Sequence, residues 1–195
     1  MRIFLIARAA LAASAAVVLS GCVSAPPPEN FAFGRETAPR ALQPLKRQLL
    51  VAEPAAVQPL DGDQILVSSE GRYSMLAGGR WADRIPRLMQ ARIVEAFESA
   101  GRAVGRAGSG MSGDLVLGID LRAFEIERGA ETAARISLSA RIVDVQTGRI
   151  LAARSFTAAS PVDGLAPADA TAGLERAADA LMPQITRWAA GIAGR

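Results

Sequence analysis

The stretch ARISLSARIVDV, residues 134–145, alternates apolar and polar side chains from Ala134 to Ile142, and this constrains the fold more than any other feature of the chain. Ile136, Leu138, Ala140 and Ile142 share one parity, while Arg135, Ser137, Ser139 and Arg141 share the other. A two-residue period is the pattern of a strand with one buried face. The turn residues Gln146-Thr147-Gly148 then lead into RILAARSFTA, which predicts an antiparallel hairpin partner. Upstream, DLVLGIDLRAFEIER keeps Leu115, Leu117, Ile119 and Leu121 in phase, after which Phe124 and Ile126 fall on the opposite parity. A bulge near Ala123, or a strand leaving the sheet there, accounts for such a flip.

Helical periodicity flanks these strands. In WADRIPRLMQARIVEAFESAGR, Trp81, Ile85, Leu88, Met89, Ile93, Ala96, Phe97 and Ala100 recur at steps of three and four, with Arg84, Arg87, Arg92, Glu95 and Arg102 opposite. Pro86 stands near the start, where its missing N–H matters least, and Gly101 suits the stop. A second helix is expected from about Pro167 to Ile192, with Leu174, Ala178, Leu181, Ile185 and Trp188 on one seam and a kink or break at Pro183. Before the first helix, RQLLVA and QILVSS have strand length and are separated by a Pro-containing loop. RYSMLAGG is a weaker strand signal, and FAF (Phe31 to Phe33) reads as a short first strand. The order implies a single α/β domain, a mixed β-sheet with two long helices packed on it. The strand Gln64–Ser69 should connect through the first helix to the Leu115 strand by a right-handed, parallel crossover.

The N-terminus is of another kind. MRIFLIARAALAASAAVVLSGC carries Arg2 and Arg8, then an apolar run from Ala9 to Leu19, the layout of a secretory signal peptide. A spanning helix needs roughly 18 or more apolar residues, so this run is too short. Leu19-Ser20-Gly21-Cys22 resembles the bacterial lipobox, cut before the cysteine. Cys22, the sole cysteine, is thus expected to carry a covalent diacylglycerol and an N-acyl chain such as palmitate. Two or more chains hold a protein stably at a bilayer. VSAPPPEN follows, with three consecutive prolines; in polyproline II these residues reach about 25 Å. The expected division is a signal peptide at 1–21, a lipid-anchored tether at 22–45 and a domain at 46–195. Val23, in place of the aspartate that resembles an inner-membrane retention signal, favours the outer membrane.

Charge and composition then exclude several functions. The chain has 22 basic and 19 acidic side chains, and two of the basic ones fall in the signal, so the mature protein is nearly neutral. With no basic run or basic aromatic strip, nucleic acid is not an expected partner. There is no histidine, which excludes Ser-His-Asp and Cys-His catalysis and the usual zinc sites. Gly108 to Gly113 spell G-x-G-x-x-G, but a helix precedes and a strand follows, the reverse of a dinucleotide fingerprint, so a flexible connector is expected. Glu125 and Glu127 share one strand face, where charges opposite an apolar face ordinarily meet solvent. No metal, noncovalent cofactor or enzymatic activity is expected.

Taken together, the lipobox cysteine and proline-rich tether, LLVAEP with QILVSS, RYSMLAGGRWADRIPRLMQARIVEAFESAG, DLVLGIDLRAFEIE, ARISLSARIVDVQTGRILAARSF and the C-terminal helix with Trp188 resemble the ABC-type transport auxiliary lipoprotein family, the PqiC-like group. The chain departs from it before residue 45, where the family has a tyrosine-rich strand and this sequence has NFAFG. The resemblance implies a non-enzymatic outer-membrane lipoprotein facing the periplasm. Its partners would be an MCE-domain protein and an ABC permease and ATPase in envelope lipid transport, and its role docking or tethering. The alternative is a lipid carrier holding an acyl chain among Phe97, Phe124 and Phe156, residues that otherwise simply fill the core. Tyr73, Arg80 and Trp81, around a Gly-Gly turn, are the candidate contact residues, since aromatics are enriched at binding hot spots. Trp81 is also readable as the first core residue of its helix.

Overall fold

A computed structural model describes residues 27–34 and 41–195; the expected signal peptide, Cys22 and part of the tether lie outside these residues. Eight strands and two helices follow in order: β1 (Glu29–Phe31), β2 (Leu49–Val51), β3 (Gln64–Ser69), β4 (Arg72–Trp81), α1 (Ile85–Ser99), β5 (Gly105–Arg106), β6 (Leu115–Arg128), β7 (Thr132–Asp144), β8 (Ile150–Pro161) and α2 (Pro167–Ala193). All eight strands join one mixed sheet, and both helices pack on it, as the periodicities predict. The first strand differs in its bounds. It starts at Glu29, inside the stretch assigned to the tether, because Glu29 to Phe31 pair in parallel with Gly79 to Trp81.

The long strand β6 organises the sheet. On one edge it pairs antiparallel with β7, which in turn pairs with β8. On the other edge two strands share its length, both parallel to it: β2 lies along Leu115 to Leu117 and β3 along Glu125 to Arg128. Ala55 bridges to Asp120 between them, so the chain from β2 to β3 follows one edge with an excursion in the middle. The parallel crossover from β3 through α1 to β6 is therefore present. The flip in β6 is a bulge: Leu121 faces Leu138 and Ala123 faces Ser137, with Arg122 as the extra residue. One inserted residue keeps Leu121 and Phe124 on the same buried face.

Helix α2 crosses β4, β3, β6, β7 and β8, while α1 lies beside it over β2 and β5. Close approach depends on small residues along α2, among them Ala170, Gly173, Ala177 and Ala178. At Gly173 a Cβ would stand 2.4 Å from Val162 Cγ1. The helix runs through Pro183 without a break in its span; the proline withdraws one N–H donor, and the surrounding turns hold. Helix α1 stops at Gly101, whose φ of +71° lets Arg102 N–H return to the Phe97 carbonyl at 2.9 Å. Phe97, Phe124 and Phe156 are all buried in this core, each fully buried aromatic contributing about 1.5–3 kcal/mol.

Phe33 closes the core from the N-terminal side. Its ring, Trp81 and Phe124 form a triangle with all three centroid separations at 5.6 Å. Arg92, buried on α1, lies 5.5 Å from the Phe33 centroid and pairs with Asp179 of α2. Gly34 N–H donates to Glu175 Oε1 at 2.8 Å. The segment just after β1 is thus fastened to both helices.

Candidate interaction site

The bulge in β6 also decides what the opposite face of the sheet carries. With Phe124 and Ile126 turned to the core, Glu125 and Glu127 face away from the helices. Across β6, Glu127 stands level with Ser68 of β3, and Ser68 with Tyr73 of β4; Arg135 of β7 stands opposite Glu125. Four strands remote in sequence therefore bring Ser68, Tyr73, Glu125, Glu127 and Arg135 onto one polar patch. Here the carboxylate pair departs from expectation. Glu127 is exposed, but Glu125 is only 5 % exposed, between β3 and β7 on its two sides.

The patch is held by charge and hydrogen bonding. Ser68 Oγ donates to Glu125 Oε1 at 2.9 Å, and Arg135 Nη1 donates to Glu127 Oε1 at 3.0 Å. Glu125 Oε2 is buried and has no hydrogen-bond partner among the described residues. Leaving such an acceptor unmatched costs about 1–3 kcal/mol. The Tyr73 phenol is pushed above its ordinary value by partial desolvation first and then by the Glu125 carboxylate, with Arg135 acting weakly against them. A cleft of about 370 Å³ opens here, between the β3–β4 and β6–β7 turns, and Glu70, Glu131 and Arg128 stand on its rim. Its chemistry is that of an acceptor-rich pocket for a cation or a hydrogen-bond donor. Among the described residues no group of three side chains has metal-binding spacing.

The other candidate residues have different surroundings. Trp81 is 1 % exposed and belongs to the aromatic triangle, so the structure places it in the core. Arg80 is partly exposed; its Nε donates to Asn30 Oδ1 at 2.9 Å, and Asp63 lies 3.9 Å away, so it fastens β1 to β4. Tyr73, 47 % exposed, is the one of the three that reaches the cleft. Cys22 lies outside the described residues. The glycine-rich run Gly108 to Gly113 connects β5 to β6, with Gly108 and Gly110 at positive φ. Ser68, Glu125 and Arg135 were not singled out as binding residues from sequence. The only local signal for Glu125 is the parity flip; its burial depends on which strand lies beside it.

Comparison with known proteins agrees with this architecture. A family model described as the ABC-type transport auxiliary lipoprotein component matches residues 32–186. An uncharacterised protein of Bradyrhizobium diazoefficiens is 34% identical over 150 residues, covering 76% of this chain and 41% of the relative. The chain therefore spans about two-fifths of that relative's length. The crystal structure of a Xanthomonas campestris protein superposes with a TM-score of 0.76 at 30% identity, over 85% of this chain and 96% of that one. A crystal structure of an uncharacterised protein, 15% identical with a TM-score of 0.66, covers 84% of this chain and 99% of its own, and shares the fold.

Proposed function

Because the chain belongs to the family of ABC-type transport auxiliary lipoprotein components, we propose that it is a non-enzymatic, lipid-anchored subunit that docks or tethers an ABC/MCE-type lipid transporter at the outer membrane. The family match across residues 32–186 carries this reading. Two features of the molecule support it. No helix among the described residues is long and apolar enough to cross a membrane, which agrees with attachment through a lipid on Cys22. The tether then leads directly into β1 at the sheet's edge, so the anchor is joined to the folded body by hydrogen-bonded chain.

The carrier alternative needs an acyl cavity. Phe97, Phe124 and Phe156 instead fill the core, 0 %, 1 % and 3 % exposed, which favours docking.

Membrane fractionation tests the anchor. A Cys22→Ala variant should fold with an unchanged circular dichroism spectrum and leave the outer-membrane fraction. Co-purification of an MCE-domain protein and the ABC permease with the wild type, and its loss in the variant, is the second expected result. Retention of Cys22→Ala in the outer membrane would overturn the anchor, and absence of both partners from the wild-type preparation would overturn the docking role.

A further inference from the structure

We propose that the open edge of β8, with the face of α2 beside it, receives an extended acidic segment of a partner protein as an added strand. This rests on the docking reading above and names the surface that docks. Three observations carry the assignment. The first is the edge itself. Strand β8 pairs with β7 and with no other strand, and no other backbone segment bonds to Ile150 through Ser160 among the described residues. From Ala152 to Ser160 its register with β7 is unbroken, about 30 Å of strand without a proline, lysine or bulge to blunt it. The strands that end the sheet on its other side are short, three residues in β1 and two in β5.

The second is charge. Arg154 leaves β8 on the helix side, since Ala140 opposite it is buried. It lies 5.1 Å from the Phe156 centroid, and Phe156 in turn packs on Trp188 of α2. Arg154, Gln184, Arg187 and Trp188 line a cleft of about 290 Å³ that holds two guanidiniums and no carboxylate. Among the described residues neither arginine forms an ion pair. Strand β8 has no acidic residue, and the acids of α2 are placed elsewhere. Asp169 lies in the first turn, Glu175 accepts from Gly34 N–H, and Asp179 pairs with Arg92. Two cations share one groove without a counter-charge of their own, which suits carboxylates on an incoming chain.

The third is the surface along the edge. Ile150 and Leu151, 60 % and 45 % exposed, begin the strand and offer apolar contact. Ala153, Ser155, Thr157 and Ala159 continue it on the face away from the helices, all exposed and all small, so they leave room for larger neighbours. An edge strand with a helix beside it is a setting in which extended peptides add to a sheet through their backbone. A bilayer has no amides to match to such an edge. A second copy of this chain would bring another Arg154 and Arg187 to the groove with no carboxylate to meet them. An acidic, extended segment of a different protein satisfies both the edge and the charge.

The full chain in detergent is titrated with a short fluorescent peptide that alternates glutamate and valine, and separately with its lysine–valine counterpart. A third peptide has the glutamate sequence with every amide N-methylated, which keeps the charges and removes the backbone donors. The expected result is a saturable rise in anisotropy with the glutamate peptide, accompanied by slowed amide exchange in β8. Binding should be at least about tenfold weaker for the other two peptides and for the double variant Arg154→Glu, Arg187→Glu. Arg187→Glu alone, at an exposed site, should also weaken it and serves if the double variant does not fold. Absence of saturable binding, equal binding of the glutamate and lysine or methylated peptides, or slowed exchange outside β8 would overturn the proposal. So would a dimer in sedimentation velocity that the glutamate peptide dissociates, which would give the edge to a second copy. Binding to phosphatidylglycerol vesicles through the two arginines, with none to the peptide, would give them to a membrane instead. The titration needs no transporter, so its failure strikes the groove alone, whereas absence of the partners from the wild-type preparation strikes the docking role.

Discussion

Single side chains in this protein act through the neighbours that the fold gives them. Asp144 at the end of β7 shows this for charge. It pairs with Arg47 and accepts from Thr147 N–H and Oγ1, both at 2.9 Å. These bonds, with Arg47 the largest cause, lower its pKa from the ordinary 3.8 to about 2. A depressed carboxylate stabilises the native state above its unfolded pKa, and that contribution disappears as pH falls through the folded value. Stability should therefore decline between about pH 4 and pH 2 in the wild type, and the decline should be shallower in Asp144→Asn. Urea midpoints at successive pH values check this; parallel curves for the two proteins would contradict it. Glu125 makes the same point for solvation. Its identity and parity can be read from the chain, yet its burial comes with β3 and β7 lying on either side.

At the scale of elements, the bulge at Arg122 has the largest consequence. It sends Leu121 and Phe124 to the core together and leaves Glu125 and Glu127 on the far face. Deleting Arg122 would remove the unpaired residue and give an unbulged strand that keeps Leu121, Phe124 and Ile126 inward and Glu125 and Glu127 outward. No carboxylate is buried and every β6–β7 pair keeps its partner, so the deletion should fold cooperatively with a loss of about 3 kcal/mol or less. Retained near-ultraviolet dichroism bands are the expected result; their loss in the deletion would mean that the bulge itself is needed to place the strands beside β6. Helix α2 shows the complementary rule. Its periodicity is legible along its whole length, and Pro183 sits inside it without ending it because the turns on both sides are packed on the sheet.

The whole molecule is one sheet with both helices on it, so its parts should unfold together. The two tryptophans report on separate regions: Trp81 packs on Phe33 and Phe124, and Trp188 of α2 packs on Phe156 of β8 at 5.6 Å. Single-tryptophan variants, Trp81→Phe and Trp188→Phe, should each unfold in one transition whose fluorescence and far-ultraviolet dichroism midpoints coincide. Separated midpoints within one variant would indicate two units. The sequence by itself determined the strand and helix periods, the parity flip in β6, the helix stop at Gly101 and the family, because each is written in neighbouring residues. Only the tertiary structure decided that β2 and β3 share one edge of β6, that β1 reaches back to Glu29, and that Trp81 is core while Tyr73 overlooks a buried glutamate. Periodicity fixes which side chains share a face; what covers that face depends on strands far away in the chain, and no local pattern records them.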